Sequence, residues 1–201
     1  MLIAPSWAFS QGLIEQSSLK QSVSGAELER NYWLYTPQDL PENPALVVVM
    51  HGYSGDARAI MNYSGMNDVA DNHGFIVAYP QGTIDSEGNA FFNVGYEFHQ
   101  DSEVDDVAFI EALVADVAVG HGVDLAKVFA TGMSNGGDMS YLLACRSSNN
   151  FRAVAPVAGS MMQTMVEQCA PARTLPIMAI SGTDDPVTLY AGDLQNSGGG
   201  G

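Results

Sequence analysis

The chain alternates short apolar runs with longer stretches in which apolar and polar residues are mixed. Every position of the run Ala45 to Met50 is apolar, and similar short runs recur further along. A strand that is apolar on both faces lies inside a sheet covered by helices, so these runs predict a parallel sheet. The other runs are Phe75 to Tyr79, Lys127 to Thr131, Ala153 to Ala158 and Ile177 to Ser181.

Three stretches between these runs have the apolar spacing of helices. One is predicted to begin at Ser102, where Ser102-Glu103-Val104-Asp105 resembles a capping box, and has Gly120 as its predicted stop. The others are predicted from Asn135 to about Arg146 and roughly from Ala57 to Asn72. Strands that alternate with helices of this length predict a doubly wound α/β domain.

The two ends of the chain differ from this central pattern. Alternation of apolar and polar residues from Leu13 to Pro37, around the turn signal Ser24-Gly25, predicts an antiparallel hairpin that leads into the sheet. Residues 1–10 are uncharged and end in a small-x-small triplet, so they are interpreted either as the rear of a secretory signal or as an apolar N-terminal arm. Residues 11–195 form the predicted domain, and residues 196–201 a flexible Gly-rich tail.

The composition limits the possible cellular compartment and the possible classes of binding partner. The chain has 201 residues, 46% of them hydrophobic, which suits one domain with a sizeable core. Seven Lys and Arg against 23 Asp and Glu give a net charge of -16, which repels nucleic acid and anionic membranes and favours uncharged substrates. No apolar run approaches the roughly 20 residues of a membrane span. The signal-like N-terminal segment, together with the lack of a membrane-length apolar run, predicts a secreted or periplasmic protein.

The strongest chemical motif is Gly132-Met133-Ser134-Asn135-Gly136, which lies between an apolar strand and a predicted helix. A nucleophile on so sharp a turn needs glycines two positions away on either side, because larger side chains would collide. Ser134 is then presented at the N-terminus of a helix, whose free amides favour a developing oxyanion. The pattern therefore predicts a serine nucleophile, and a structural Gly-Ser turn is the alternative.

Two further loops supply the remaining groups of such a site. His51-Gly52-Tyr53 follows the strand Ala45 to Met50, so the amides of Tyr53 and Asn135 are the predicted oxyanion donors. His51 itself is predicted to order the loop. An acid should follow the nucleophile along the chain, and Asp184 and Asp185 both satisfy that spacing, although both could merely cap the turn before Pro186.

A series of short motifs follows in order along the chain from Leu34 to Val187. They are Leu34-Tyr-Thr-Pro37, Val48-Val-Met-His-Gly52, Tyr79-Pro-Gln-Gly82, Val104-Asp-Asp-Val-Ala-Phe-Ile110, Val123-Asp124, Val128-Phe-Ala-Thr-Gly-Met-Ser-Asn-Gly-Gly137, Ala155-Pro-Val-Ala-Gly159 and Gly182-Thr-Asp-Asp-Pro-Val187. In this order they resemble the α/β-hydrolase esterases grouped with polyhydroxybutyrate depolymerases, feruloyl esterases and acetylxylan esterases. So many motifs in one order are far more specific than any one of them.

The resemblance implies a fold and a set of roles. The fold is the α/β-hydrolase fold, a mostly parallel doubly wound sheet with an N-terminal antiparallel hairpin, here lacking the last strand and helix. Ser134 is implied as the nucleophile and Asp185 as the triad acid. Cys145 and Cys169 match the family's disulfide, whereas the count of two alone leaves free thiols open. Asp105 with Asp106 matches a structural acidic pair that is not catalytic.

One part of the family pattern is missing. The general base of the family is a histidine well after the acid, yet the chain ends sixteen residues after Asp185 (201 minus 185). The four histidines, His51, His73, His99 and His121, all precede Ser134. We therefore expect a fragment of a longer esterase, in which Ile177 to Ser181 forms an exposed sheet edge that invites self-association.

The predicted function is a secreted serine carboxylic-ester hydrolase that forms an acyl-enzyme on Ser134. Its ester substrate would be a polyester, such as a polyhydroxyalkanoate, or a feruloylated or acetylated polysaccharide. A non-catalytic remnant or binding module is the alternative, and lyase or perhydrolase chemistry on the same scaffold is a third. The sequence shows no metal constellation and no phosphate loop, so no cofactor is expected. Phe91, Phe92, Tyr96 and Phe98 suit either a substrate wall or the core.

Overall fold

The computed structural model describes residues 12–193, and within them the chain forms eight strands and five α-helices. The predicted N-terminal segment 1–10 and the tail 196–201 lie outside the described residues. In chain order the elements are β1 (Leu13–Val23), β2 (Ala26–Thr36), β3 (Ala45–Met50), α1 (Ala57–Ser64), α2 (Met66–His73), β4 (Phe75–Pro80), β5 (Thr83–Ile84), β6 (Ala90–Phe91), α3 (Asp106–His121), β7 (Val128–Met133), α4 (Asn135–Arg146), β8 (Ala153–Val157) and α5 (Gln163–Gln168).

Six of the strands form one mixed sheet in the order β1-β2-β4-β3-β7-β8. The predicted hairpin is present, because β1 pairs with β2 antiparallel, and β2 then pairs with β4 antiparallel. The other pairings of this sheet, β4 with β3, β3 with β7 and β7 with β8, are parallel. Strands β5 and β6 form a separate antiparallel hairpin. The sheet is therefore mostly parallel with an antiparallel hairpin at one edge, as the sequence predicts.

The two faces of the sheet pack against different helices. Successive strand residues point to opposite faces, so Val48 and Val49 in β3 belong to separate cores. Val48 packs in the larger core with residues of α3 and α4, whereas Val49 packs with residues of α1 and α2. Helices cover both faces, which explains why the central strands are apolar at every position and confirms the doubly wound arrangement.

The helices of the structure differ from the predicted bounds at three places. The single helix predicted from Ala57 to Asn72 is two helices, because Gly65 takes a left-handed conformation (φ 63°) between them. Helix α3 begins after Asp105 rather than at Ser102, since the Asp105 carboxylate accepts a hydrogen bond from the Ala108 amide at 3.1 Å. It ends at His121, and its stop is Gly122 rather than Gly120, because the left-handed Gly122 donates its amide to the carbonyl of Ala118.

The segment from Ile177 to Ser181 is less regular than the sequence predicts. It meets β8 through two isolated parallel bridges, Val154 to Ile177 and Val157 to Ile180, and not through a full strand. Ile177, Met178 and Ile180 are 47%, 62% and 47% exposed. In the part of the chain that is described, no strand lies beyond this segment. The predicted interior strand is therefore an exposed edge in this structure.

The two cysteines form a disulfide, which confirms the pairing expected for them. Cys145 in α4 is bonded to Cys169, 24 residues later, directly after α5. Loop closure on this scale stabilises a fold by about 3 kcal/mol.

Among residues 12–193, no helix is both long enough and apolar enough to cross a bilayer.

Candidate active site

Ser134 lies at the sharp turn between β7 and α4. Its backbone has φ 55° and ψ -122°, a conformation that a residue with a side chain adopts only at a cost. The Ser134 amide donates to the carbonyl of Val157 at 2.9 Å, which ties the turn to the end of β8. Its side chain is partly exposed, and within residues 12–193 no group hydrogen-bonds to its Oγ. The serine is therefore held in place by its backbone while its hydroxyl stays available.

The glycines of the motif are required by close backbone contacts. A Cβ added at Gly132 would lie 2.4 Å from the carbonyl oxygen of Gly136, and one added at Gly136 would lie 2.4 Å from that of Met50. Neither contact can be relieved by a side-chain rotation, because both partners are backbone atoms. The spacing of glycine, serine and glycine thus has the steric origin that the sequence suggested.

The loop after β3 passes directly beside Ser134. A Cβ added at Gly52 would lie 3.3 Å from the Ser134 Cβ and 3.8 Å from its Oγ. The next amides along, those of Ser54 and Gly55, are bonded to the carbonyls of Ala90 (2.8 Å) and Gly52 (3.0 Å). The first amide of α4, that of Asn135, has no acceptor inside its own helix. The predicted oxyanion donors, the amides of Tyr53 and Asn135, therefore belong to two backbone segments that meet at Ser134.

His51 orders the same loop and is not placed to act as a base. The Gly82 amide donates to His51 Nε2 at 3.0 Å, so the proton is on Nδ1, which donates to the Gly52 carbonyl at 2.7 Å. The side chain is buried, and that burial lowers the pKa of the imidazole below its ordinary value. Both ring nitrogens of a neutral histidine are thus used inside the loop.

The segment that contains Asp184 and Asp185 is hydrogen-bonded to the end of β8, as Ser134 is. Thr188 Oγ1 donates to the carbonyl of Ala158 at 3.0 Å, one residue after the carbonyl that accepts from the Ser134 amide. Asp185 Oδ1 accepts from the amides of Val187 (2.8 Å) and Thr188 (3.0 Å), which is the capping role that the sequence left open. Asp184 is exposed, whereas Asp185 is partly buried. Asp185 and Ser134 therefore lie at one end of the sheet without contacting each other.

The other three histidines lie away from the nucleophile or are already bonded. His73 and His121 are the last residues of α2 and α3. His99 is buried, and its Nε2 lies 3.1 Å from Asp85 Oδ2. In the described part of the chain, none of the four histidines hydrogen-bonds to Ser134 or Asp185.

The four aromatic side chains singled out in the sequence, those of Phe91, Phe92, Tyr96 and Phe98, differ in their exposure. Phe91, Phe92 and Tyr96 are buried, so the core interpretation holds for these three residues. Phe98 alone of the four is exposed, at 59%. It also lines a cavity of about 740 Å³ with Arg30, Gln81, Asp85 and His99, among others, and Ser134 is not among the lining residues.

The sequence did not indicate a group of polar residues beside Tyr53. The Tyr53 hydroxyl donates to Asp85 Oδ2 at 2.6 Å and accepts from Asn89 Nδ2 at 2.9 Å. The hydrogen bond from Tyr53 holds the pKa of the Asp85 carboxyl well below its usual range, so this group is an anion at neutral pH. A Tyr spaced 32 residues from an Asp has no local signature, and only the fold joins them.

Asp138 is a buried carboxyl that is joined to the nucleophile through the backbone. It accepts from the Tyr96 hydroxyl at 2.5 Å and from the Ser160 amide at 2.7 Å, and its own amide donates to the Ser134 carbonyl at 2.9 Å. Burial raises the pKa of Asp138 from 3.8 to about 6, despite those hydrogen bonds. This carboxyl therefore titrates in the mildly acidic range, where most aspartates are already ionised.

Replacing Asp138 with asparagine should change the pH dependence of stability. Between pH 4 and pH 6 the folded carboxyl keeps a proton that the unfolded chain has lost, so wild-type stability falls as pH rises. The Asn variant lacks this decrease. Urea unfolding at several pH values should show the variant gaining roughly 3 kcal/mol relative to wild type between pH 4 and pH 7. Asp101→Asn, on the exposed surface, is the matched control, and parallel curves for Asp138→Asn and wild type would contradict the prediction.

Comparison with known proteins gives one consistent family. The family model described as esterase PHB depolymerase matches residues 30–197. The chain is 32% identical over 152 residues to feruloyl esterase B of Piromyces equi, and 28% identical over 164 residues to poly(3-hydroxyalkanoate) depolymerase C of Paucimonas lemoignei. These alignments cover 75% and 82% of the chain but only 28% and 38% of the relatives. The chain thus spans less than half the length of either relative.

Solved structures agree on the fold. An acetyl xylan esterase from Aspergillus awamori aligns with a TM-score of 0.60 and 24% identity, over 72% of this chain and 51% of that one. An S-formylglutathione hydrolase from Staphylococcus aureus aligns with a TM-score of 0.63 and 16% identity, over 90% of this chain and 81% of that one. At this level of identity the likeness shows the fold alone, which is that of α/β-hydrolase esterases.

Proposed function

The chain belongs to the esterase PHB depolymerase family, and from that premise we propose that it is a serine carboxylic-ester hydrolase that works through an acyl-enzyme. The observation that carries the proposal is the backbone of Ser134, held at φ 55° in a strand-to-helix turn while its hydroxyl remains unpaired among residues 12–193. Strained backbone of this kind is concentrated at functional sites, where the surrounding structure maintains it. The glycine contacts around the turn maintain it here.

In the proposed reaction, Ser134 Oγ attacks the ester carbonyl carbon and its proton passes to a general base. The amides of Tyr53 and Asn135 donate to the oxyanion of the tetrahedral intermediate. Collapse of the intermediate breaks the bond to the alcohol, which leaves with the proton, and the acyl group stays on Ser134. Water then attacks the acyl-enzyme by the same route and releases the acid.

Asp185 is the proposed acid that orients the base. The base itself is a histidine that we place outside these 201 residues, because His51 uses both ring nitrogens in its own loop and His99 is buried against Asp85. Without a base, Ser134 keeps its proton near neutral pH, and only the roughly 10³- to 10⁴-fold contribution of binding and oxyanion stabilisation remains. Hydrolysis by the 201-residue chain should therefore be slow.

The proposed substrate is an uncharged ester, either in a polyester such as a polyhydroxyalkanoate or in a feruloylated or acetylated polysaccharide. The names of the relatives support this class, as does the net charge of -16, which disfavours anionic polymers. We also propose that the protein is secreted or periplasmic, which agrees with the disulfide, since disulfides persist in oxidising compartments.

Labelling with a fluorophosphonate tests the proposed nucleophile. In a version of the protein extended to include a downstream histidine, we expect a single adduct on Ser134, located by mass spectrometry of the digested protein, and no adduct in the Ser134→Ala variant. Ser18→Ala, on an exposed strand position, should label like wild type. An adduct on another residue, or no adduct in a version extended to include a downstream histidine, would overturn the assignment.

The absence of a histidine beside Ser134 within residues 12–193 favours one alternative, a non-catalytic remnant or binding module on the same scaffold. The two possibilities differ in a simple measurement. Hydrolysis of p-nitrophenyl acetate by the 201-residue chain, lost in Ser134→Ala, excludes the alternative. A version extended to include a downstream histidine that binds an ester polymer, but neither hydrolyses it nor reacts with the fluorophosphonate, would support it.

Self-association through the exposed sheet edge is a further expectation. Ile177 and Ile180 lie on the segment that pairs with β8, and both are about half exposed. An edge of this kind offers unpaired backbone groups to a second chain. Light scattering over a range of protein concentrations should show dimers or larger species, and Ile180→Lys should shift the population towards monomer. A strict monomer at high concentration would contradict this expectation.

A further inference from the structure

The hairpin β5–β6 contacts both backbone segments of the proposed oxyanion hole. On one side, the carbonyl of Ala90 accepts from the amide of Ser54, which directly follows Tyr53. On the other side, the Asn135 side chain makes two hydrogen bonds to the Phe92 backbone: its Oδ1 accepts from the amide at 2.8 Å and its Nδ2 donates to the carbonyl at 2.9 Å. One short hairpin therefore bridges the loop after β3 and the start of α4.

Asp85 is the residue that joins this hairpin to Tyr53. Its Oδ1 accepts from the amides of Glu87 and Asn89, both at 2.9 Å, which closes the hairpin turn. Its Oδ2 accepts from the Tyr53 hydroxyl at 2.6 Å. Asn89, on the same turn, donates to that hydroxyl as well. The Tyr53 side chain is thus fixed by two partners that the turn itself holds in place.

His99 also contacts the Asp85 carboxylate. Its Nε2 lies 3.1 Å from the same carboxylate oxygen that accepts from Tyr53, and the His99 and Asp85 side chains are only 4% and 7% exposed. The imidazole lies against Phe91 of β6, with ring centroids 3.8 Å apart. Packing and hydrogen bonding together leave Asp85 little freedom to turn away from Tyr53.

We propose that Asp85, held by His99, is a positioning residue for the oxyanion hole, acting through the Tyr53 hydroxyl to fix the Tyr53 amide opposite that of Asn135. This inference rests on the proposed function, because it assigns these two amides to the oxyanion. Oxyanion donors act only if they are fixed before the charge develops. A displacement of about 1 Å can reduce the rate about 100-fold, and the ground-state ester is affected far less.

The test is a double-mutant cycle on Tyr53→Phe and Asp85→Ala in the full natural chain, with p-nitrophenyl acetate as the substrate. Each single variant should lower kcat roughly 10- to 100-fold and change KM less than about threefold, because the lost contribution is to the transition state. The double variant should be no slower than the worse single variant, because both remove one connection. Asp85→Asn keeps an acceptor for the Tyr53 hydroxyl and should recover most of kcat. Tyr63→Phe, an exposed tyrosine, should match wild type.

Two outcomes would overturn the inference while leaving the proposed function intact. One is a kcat within threefold of wild type in Tyr53→Phe, and the other is fully additive losses in the cycle, with Ser134→Ala inactive in both cases. If Ser134→Ala retains wild-type hydrolysis, the proposed function itself fails. If Asp85→Ala does not fold, Tyr53→Phe and Asp85→Asn carry the test, because Phe keeps the ring and Asn keeps the acceptor.

A spectroscopic measurement tests the hydrogen bond between Tyr53 and Asp85 independently of activity. The hydrogen bond to Asp85 raises the pKa of the Tyr53 phenol above its ordinary value. With 3-fluorotyrosine incorporated and the Tyr53 signal assigned from Tyr53→Phe, a ¹⁹F titration should show this pKa falling in Asp85→Asn. An unchanged titration would mean that Asp85 does not hold Tyr53.

Discussion

Replacing Ser134 with alanine should lower kcat/KM for p-nitrophenyl acetate by about 10³-fold or more in the full natural chain. The acyl-enzyme cannot form without the hydroxyl, so only uncatalysed attack of water beside the oxyanion donors remains. Binding of the ester should change little, because the alanine side chain keeps the shape of the turn.

The same substitution should leave the fold intact, which separates chemistry from stability. No group among residues 12–193 hydrogen-bonds to the Ser134 hydroxyl, and alanine meets the same backbone strain at φ 55° as serine does. The free energy of unfolding should therefore stay within about 0.5 kcal/mol of wild type in urea titrations. Ser18→Ala provides the control for activity and stability together. Retained hydrolysis in a folded Ser134→Ala protein would reject Ser134 as the nucleophile.

Replacing Asp106 with alanine should reduce the free energy of unfolding by about 3–5 kcal/mol. The Asp106 carboxylate is buried, accepts from the Arg30 guanidinium and from the Asn93 amide at 2.6 Å, and joins α3 to β2. Arg30 is also buried, with its guanidinium 3.9 Å from the centre of the Phe109 ring. Removing the carboxylate leaves this cation without its counter-ion in the core, and that unpaired charge accounts for most of the loss.

The neighbouring Asp105 is the matched control for this prediction. It caps the start of α3 through one exposed hydrogen bond to Ala108, so Asp105→Ala should cost only about 1 kcal/mol. The double variant Arg30→Met with Asp106→Leu should lose less than Asp106→Ala, because it removes both charges. Urea unfolding followed by far-UV circular dichroism measures all three. Equal losses for Asp105→Ala and Asp106→Ala would show that the ion pair contributes nothing.

The resemblance placed Asp105 and Asp106 together as one structural pair, and the structure assigns them different tasks. The Asp105 carboxylate caps its own helix. A capping pattern in the sequence can indicate such a role, although the pattern pointed to Ser102 instead. Asp106 binds Arg30, which is 76 residues away along the chain. No local pattern encodes a partner at that separation, so the ion pair follows only from the way β2 packs beside α3.

The sequence by itself determined the parallel strands β3, β4, β7 and β8 and the Ser134 turn, because each depends on neighbours within a few residues. An apolar run needs helices on both faces whatever their order, and the Gly132, Ser134, Gly136 spacing is a steric requirement of the turn. The tertiary structure alone decided what lies around that turn. It joined Asp85 and His99 to Tyr53 and left His51 without a free ring nitrogen, because the fold brings together loops that are 30 or more residues apart. Contacts of that kind depend on the topology of the sheet, which no single segment specifies.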